Sequence, residues 1–156
     1  MLENLKGLKS YEVFRFFKEM NEIPRGSANE KEVSDWLVNF AKMRNLEVIQ
    51  DEAYNVIIRK PGTKGYENAN TVVLQGHMDM VCEKNKGTQH DFEKDAIKFI
   101  VDGDVLRAEG TTLGADNGIA VAYGLALLDD NTLEHPPVEL LLTTEHTPQE
   151  PSFFLL

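Results

Sequence analysis

The sequence is poor in cysteine and in positive charge, and it has no long apolar run. Cys82 is the only cysteine, which excludes an internal disulfide and fits a reducing cytosol. The 16 Lys and Arg residues against 26 Asp and Glu give a net charge of −10, which argues against a nucleic-acid partner because phosphate binding depends on cationic side chains. No apolar run approaches the ~20 residues that span a bilayer, and the N-terminus lacks a signal-peptide pattern. We therefore expect a cytoplasmic protein without a membrane partner.

What is present is an alternation of helical and extended patterns in a chain of 156 residues, long enough for one domain with a real core. Apolar residues at helical spacing predict helices that end near residues 20, 43 and 129. Apolar runs predict strands between them, including a strand over 71–76 that is buried inside a sheet with helix 117–129 packed on one face. The pattern favours an α/β fold: a layered mixed sheet with helices on both faces.

A polar pair follows the strand over 71–76. His77 and Asp79 stand two residues apart, so in an extended backbone both side chains point to the same site. A neutral imidazole is a good metal ligand, and a carboxylate can fix its orientation and tautomer. By itself the tripeptide is equally compatible with an ordinary polar end of a strand.

A glycine-rich segment, residues 110–118, opens the third predicted helix. Its glycines allow a close approach of the backbone to another group. Asp116 within it has two interpretations. It could be the N-cap of the helix, or its two oxygens could bridge two cations.

These two segments together resemble the M20 metallopeptidases, most closely the aminoacyl-histidine dipeptidase branch. The resemblance runs from about residue 8 to about residue 144. It implies the N-terminal part of a zinc-peptidase (phosphorylase/hydrolase-like) catalytic domain that cleaves Xaa-His dipeptides with two divalent ions, zinc or else cobalt or manganese. His77 would bind one metal, Asp79 would act in catalysis by orienting that histidine, and Asp116 would bridge both metals. A cis peptide bond between Asp116 and Asn117 is also implied.

The resemblance breaks after strand 138–144, where the family has two adjacent glutamates, a general base and then a metal ligand. His146 and Thr147 stand at these positions. Glu145 lies one residue early, which on a strand turns its side chain to the opposite face, so it could replace the base only if the backbone bulges. His146 could ligate a metal. We expect residues 1–156 to be one truncated catalytic domain with a divergent tail over 145–156, lacking the family's lid and homodimerisation domain.

Several other side chains near these segments have ordinary interpretations. Ser27 and Glu30 have the spacing of a helix capping box. Cys82 lies close enough to His77 to touch a metal, although packing is its expected role. His90 and His135 are expected in a solvated loop and on the surface, respectively.

Two classes of function remain open. The first is a metal-dependent dipeptidase with a dipeptide substrate. The second is a non-catalytic remnant of such an enzyme, with weak metal affinity or an interaction role through apolar surface. A catalytic zinc usually has three protein ligands, whereas only His77 and Asp116 are firm candidates. The sequence therefore favours a family of metal-dependent dipeptidases. For this polypeptide by itself, it favours a non-catalytic remnant.

Overall fold

The computed structural model describes residues 5–144, in which three helices and six strands form. None of the helices in this part of the chain is long and apolar enough to cross a bilayer. In chain order the elements are α1 (Tyr11–Met20), α2 (Lys31–Met43), β1 (Glu47–Gln50), β2 (Val56–Lys60), β3 (Val72–His77), β4 (Phe99–Asp102), β5 (Val105–Ala108), α3 (Ala115–Asp129) and β6 (Val138–Thr143).

Four strands form a mixed sheet in the order β1-β2-β6-β3, and β4 and β5 form a separate antiparallel pair. β2 is antiparallel to both of its neighbours, whereas β3 and β6 are parallel. A parallel pair needs a long connection, which here contains α3. The parallel register places His77 beside Thr143, so the carboxyl ends of both strands lie together at one end of the sheet. The mixed α/β class predicted from the sequence is confirmed.

The core lies between the helices and one face of the sheet. Alternate residues of β6 are buried, and the register pairs Leu140 with Ile58 of β2 on that same face. All three helices contribute apolar side chains to this single cluster. The ring of Phe16 in α1 also packs edge-to-face on Phe40 of α2, with 5.4 Å between ring centroids. Burial of these faces is the main force that holds the helices on the sheet.

The opposite face of the sheet carries charge. Arg59 on β2 donates from Nε to Glu139 on β6 at 2.7 Å and from Nη1 to Glu47 on β1 at 2.8 Å. These ions are stable there because they stay in contact with water. Within residues 5–144 helices thus cover only one face of the sheet, which differs from the helices on both faces expected from the sequence.

Strand β3 lies at an edge of the sheet in the described part of the chain, so its predicted place inside the sheet is wrong here. Val72 is 44% exposed and Val73 is 55% exposed. The apolar run predicts burial on both faces, but a run of valines is equally compatible with an open edge. The predicted packing of the third helix is confirmed, since α3 contacts β3 at Gly76.

His135 is buried, with 5% of its surface exposed, and its expected surface position is wrong. The backbone around it pairs with the loop after β2: the amide of His135 donates to Thr63 Oγ1 at 2.9 Å, and the amide of Thr63 donates to the His135 carbonyl at 2.9 Å. Its ring Nδ1 lies 2.7 Å from the Pro136 carbonyl oxygen. These contacts between distant loops have no local sequence signal.

Candidate metal centre

His77 is the last residue of β3, and the carboxylate of Asp79 holds its ring. Its Nδ1 lies 2.9 Å from Oδ1 of Asp79, which is 5% exposed. A carboxylate accepts, so Nδ1 carries the proton and donates it, which leaves the lone pair of Nε2 free. The amide of Met78 donates to the Thr143 carbonyl at 2.8 Å and so holds this turn against the end of β6.

Asp116 meets His77 from the start of α3, 39 residues further along the chain. Its Oδ1 lies 3.2 Å from His77 Nε2, and its side chain is 97% exposed. The backbone of Asp116 is non-helical, with φ of −94° and ψ of 105°, and its Oδ1 faces His77 instead of an amide of the first turn, so the N-cap interpretation of Asp116 is not supported. The peptide bond between Asp116 and Asn117 is cis, as the resemblance implies. The structure therefore brings together the three residues that the sequence predicts for the site.

Oδ1 of Asp116 and Nε2 of His77 are both acceptors when Nδ1 holds the ring proton, so a proton or a cation is needed between them. Zinc binds nitrogen and oxygen at ~2.0–2.2 Å, and two such ligands of a tetrahedral ion lie about 3.3–3.5 Å apart. The observed 3.2 Å is close to that separation. The pair fits two ligands of one divalent ion. No group of three or more His, Cys, Asp or Glu that could hold a metal occurs among residues 5–144.

The remaining predicted site residues fall in two groups. Glu145, His146 and Thr147 lie outside the described residues. Cys82 does not complete a group of three ligands with His77 and Asp116 in the described part of the chain, and its Sγ lies 3.7 Å from the Met80 carbonyl oxygen. Burial raises the pKa of the Cys82 thiol, and the nearby cation of Arg25 only partly opposes this.

Ser27 holds the other oxygen of Asp79. Its hydroxyl donates to Asp79 Oδ2 at 2.6 Å, so both carboxylate oxygens of that aspartate are engaged. The predicted capping box is wrong: α2 follows Glu30, whose Oε1 instead accepts from the amide of Ala28 at 2.9 Å. The spacing of a capping box is local, whereas the actual partner of Ser27 lies 52 residues away.

Arg25 is the residue of this centre that sequence reasoning missed. It is 1% exposed, and its guanidinium lies behind the His77–Asp79 turn. Nη1 donates to the carbonyls of Met78 at 2.9 Å and Asp79 at 3.1 Å. Nη2 donates to Gly114 O at 2.8 Å and to the side chain of Asn21 at 3.0 Å. Burial lowers the pKa of Arg25 to about 10, with the charge of Asp79 opposing the shift, so the group stays cationic at neutral pH.

The glycines of residues 110–118 approach this arginine. A Cβ at Gly114 would collide with Arg25 Nη2 and lie 2.9 Å from Met80 Sδ. A Cβ at Gly118 would lie 2.9 Å from Arg25 Nη2 and 3.0 Å from the ring of Phe17. The close approach that the glycine pattern indicated is thus to a buried side chain.

The structure is a mixed α/β domain that brings together two potential metal ligands, His77 and Asp116. No family model matches the chain. The cytosol non-specific dipeptidase of Escherichia coli (strain K12) is 43% identical over 155 residues, which make up 99% of this chain and 32% of that protein. The crystal structure of aminoacylhistidine dipeptidase from Vibrio alginolyticus superposes with a TM-score of 0.88 and 41% identity, over 93% of this chain and 30% of that one.

A dinuclear metal binding peptidase of the M20 family from Bacillus subtilis shares the fold, with a TM-score of 0.50 and 16% identity over 83% of this chain and 34% of that one. Over nearly its whole length this chain is thus similar to one part of two dipeptidases, and it shares its fold with an M20 peptidase. It spans about a third of the length of these relatives.

Proposed function

We propose that this chain supplies part of the active centre of a metal-dependent dipeptidase and binds a divalent ion through His77 and Asp116. The observation that carries the proposal is the 3.2 Å separation of two acceptors, one of them on an imidazole whose other nitrogen is already held by Asp79. The relationship to dipeptidases at 41–43% identity supports a dipeptide, and specifically an Xaa-His dipeptide, as the substrate of the complete enzyme. The single cysteine and the cytosolic relative support a cytoplasmic location.

Each residue has one role in this proposal. His77 presents its Nε2 lone pair, Asp79 fixes the ring and its tautomer, and Asp116 offers two oxygens for two ions. Ions held by His77 and Asp116 would supply the acidified water and the polarised peptide carbonyl that amide hydrolysis needs. Zinc is the ion we propose, with cobalt or manganese as substitutes, because imidazole and carboxylate ligands suit all three.

We further propose that the polypeptide of 156 residues does not turn over dipeptides at a useful rate. Residues 5–144 provide two metal donors, fewer than the three protein ligands of a usual catalytic zinc. The general base of the family is matched by His146, and Glu145 is out of phase by one residue. A remnant with weak metal affinity is therefore the second candidate function.

Metal binding is tested with Co²⁺, whose visible absorption reports its ligands. We expect saturable binding to the wild-type chain, loss of at least ~10-fold in affinity for His77→Ala, and a ~10–100-fold loss for Asp79→Asn, the range for partners of metal ligands. His90→Ala is the matched control, because that histidine packs on Phe92 in a loop and does not contact His77 or Asp116. Equal affinity of the wild type and His77→Ala would exclude this site.

Turnover is tested separately with Xaa-His dipeptides in the presence of zinc, cobalt or manganese. We expect a rate lower by ~10²–10⁴-fold or more than that of a complete relative, since loss of a general base alone costs that much. The wild-type chain could hydrolyse the dipeptide in a reaction that a chelator and His77→Ala both abolish. That result would contradict the proposed inactivity but would still support the metal site.

A further inference from the structure

We propose that Arg25 is a positioning residue for the metal centre: its guanidinium fixes the turn that carries His77 and Asp79 relative to the segment that carries Asp116. The inference rests on the proposed function, because it assigns Arg25 a task at that same site. Arg25 itself touches neither of the two proposed metal ligands through a side-chain bond.

The contacts of Arg25 divide between the two halves of the centre. Nη1 holds the carbonyls of Met78 and Asp79, directly after β3. Nη2 holds the carbonyl of Gly114, two residues before Asp116. A guanidinium is a rigid, planar fork, so its two nitrogens set the spacing of the groups they bind. The distance between His77 and Asp116 is therefore determined in part by one side chain behind them.

The backbone of Arg25 reinforces the same arrangement. The amide of Met80 donates to the Arg25 carbonyl at 3.0 Å, and two residues later the hydroxyl of Ser27 holds Asp79 Oδ2. Residues 25–27 thus contact both the main chain that follows the His77–Asp79 turn and the carboxylate of Asp79. On the other side, Gly114 and Gly118 leave room for the guanidinium where a Cβ would not fit.

The energetics argue against a purely stabilising role. The four partners of the guanidinium are three carbonyl oxygens and one amide oxygen, and no salt bridge of residues 5–144 includes Arg25. Its Nε has no partner there either. Desolvation of a buried cation that makes no salt bridge is costly, and the nearby charge of Asp79 offsets this cost only in part. What an apolar side chain cannot supply is the fixed spacing of three carbonyls.

The experiment compares Arg25→Lys and Arg25→Met with the wild-type chain and with Arg44→Lys. Arg44 is a suitable control because it also binds a carbonyl, that of Phe40 at 3.1 Å, and its other partner is Asp129 at the end of α3. One readout is metal-free: the nuclear Overhauser effect between the His77 ring protons and the Asp116 β-protons. The other is Co²⁺ affinity together with the Co²⁺ visible spectrum.

We expect both Arg25 variants to lose the Overhauser contact, to bind Co²⁺ at least ~10-fold more weakly and to change its spectrum, as for other residues that orient metal ligands. Arg44→Lys should match the wild type in the Overhauser contact, the Co²⁺ affinity and the Co²⁺ spectrum. If Arg25→Met does not fold, Arg25→Lys, which keeps the charge but not the fork, decides the outcome.

Three results separate the two proposals. Folded Arg25 variants that retain the Overhauser contact and the wild-type affinity would overturn the positioning role, as would absence of the contact from the wild-type chain. A wild-type chain that shows the contact but binds no Co²⁺ contradicts the proposed function alone. In that case the loss or retention of the contact in the Arg25 variants still decides the role of Arg25.

Discussion

Asp79 shows how few degrees of freedom the residues of this centre retain. Its Oδ1 faces His77, its Oδ2 accepts from Ser27, and its carbonyl accepts from Arg25. A carboxylate with both oxygens engaged and 5% exposure cannot rotate away from the imidazole without leaving buried groups unpaired. The ring of His77 is consequently preorganised, with one nitrogen free toward Asp116.

Cys82 gives a prediction at the residue scale. Because burial raises the pKa of its thiol, less thiolate is present at any pH below that value than in an exposed cysteine. We expect the rate of iodoacetamide alkylation, followed against pH, to have its midpoint at higher pH than for a cysteine in an unstructured peptide. In Arg25→Met the midpoint should rise further, because the cation that lowers the pKa is removed. A midpoint at or below that of the peptide would contradict the structure.

At the scale of elements, α3 is the link between the sheet and the site. It begins beside His77, packs along β3 and approaches β6 at Leu140. Gly124 lies where the helix comes closest to the sheet: a Cβ there would be 2.7 Å from Leu140 Cδ2 and 3.1 Å from its Cγ. Leu140 is 1% exposed and has little room to move. The small residue thus sets the distance between helix and sheet.

Gly124→Ala should therefore destabilise the chain although alanine favours helices. Overpacking costs ~1–3 kcal/mol, and the gain in helix propensity returns at most ~1 kcal/mol. We expect a lower midpoint of urea unfolding with an unchanged slope. Gly7→Ala is the control, because a Cβ at Gly7 meets nothing within 4 Å. Stability of Gly124→Ala at or above that of Gly7→Ala would show that α3 does not pack as described.

At the scale of the whole molecule, the open side of β3 exposes apolar side chains on the described surface. β3 has one neighbour, β6, among residues 5–144, and Val72 and Val73 on it are exposed. Tyr123 and Leu133, 58% and 49% exposed, line a groove beside Leu74 of this strand. An unpaired apolar strand of this kind is prone to pair with another chain.

We expect the 156-residue chain to self-associate at micromolar concentration and Val73→Lys to reduce this, because a charge on an edge strand opposes pairing. Sedimentation velocity over a concentration series measures the effect. Val81→Lys is the control, since Val81 is 66% exposed and follows the strand rather than lying in it. A wild-type chain that remains monomeric throughout the series would mean that this edge is covered in solution.

The sequence by itself determined what depends on neighbours along the chain. Apolar periodicity indicated the helices and strands, and the spacing of His77 and Asp79 placed both side chains at one site, because residues two apart in extended backbone share a face. Their meeting with Asp116, 39 residues away, was expected only from the resemblance to a family. The fold class followed from the alternation of these elements.

Only the tertiary structure decided which distant groups meet. It placed β3 at an edge, covered one face of the sheet with helices, and paired Ser27 with Asp79 rather than with its own helix. It also buried Arg25 between two segments whose carbonyls lie 53 and 89 residues away in sequence. No local pattern encodes such contacts, because a hydrogen bond depends on where two atoms lie in space, and that position is fixed only when the whole core packs.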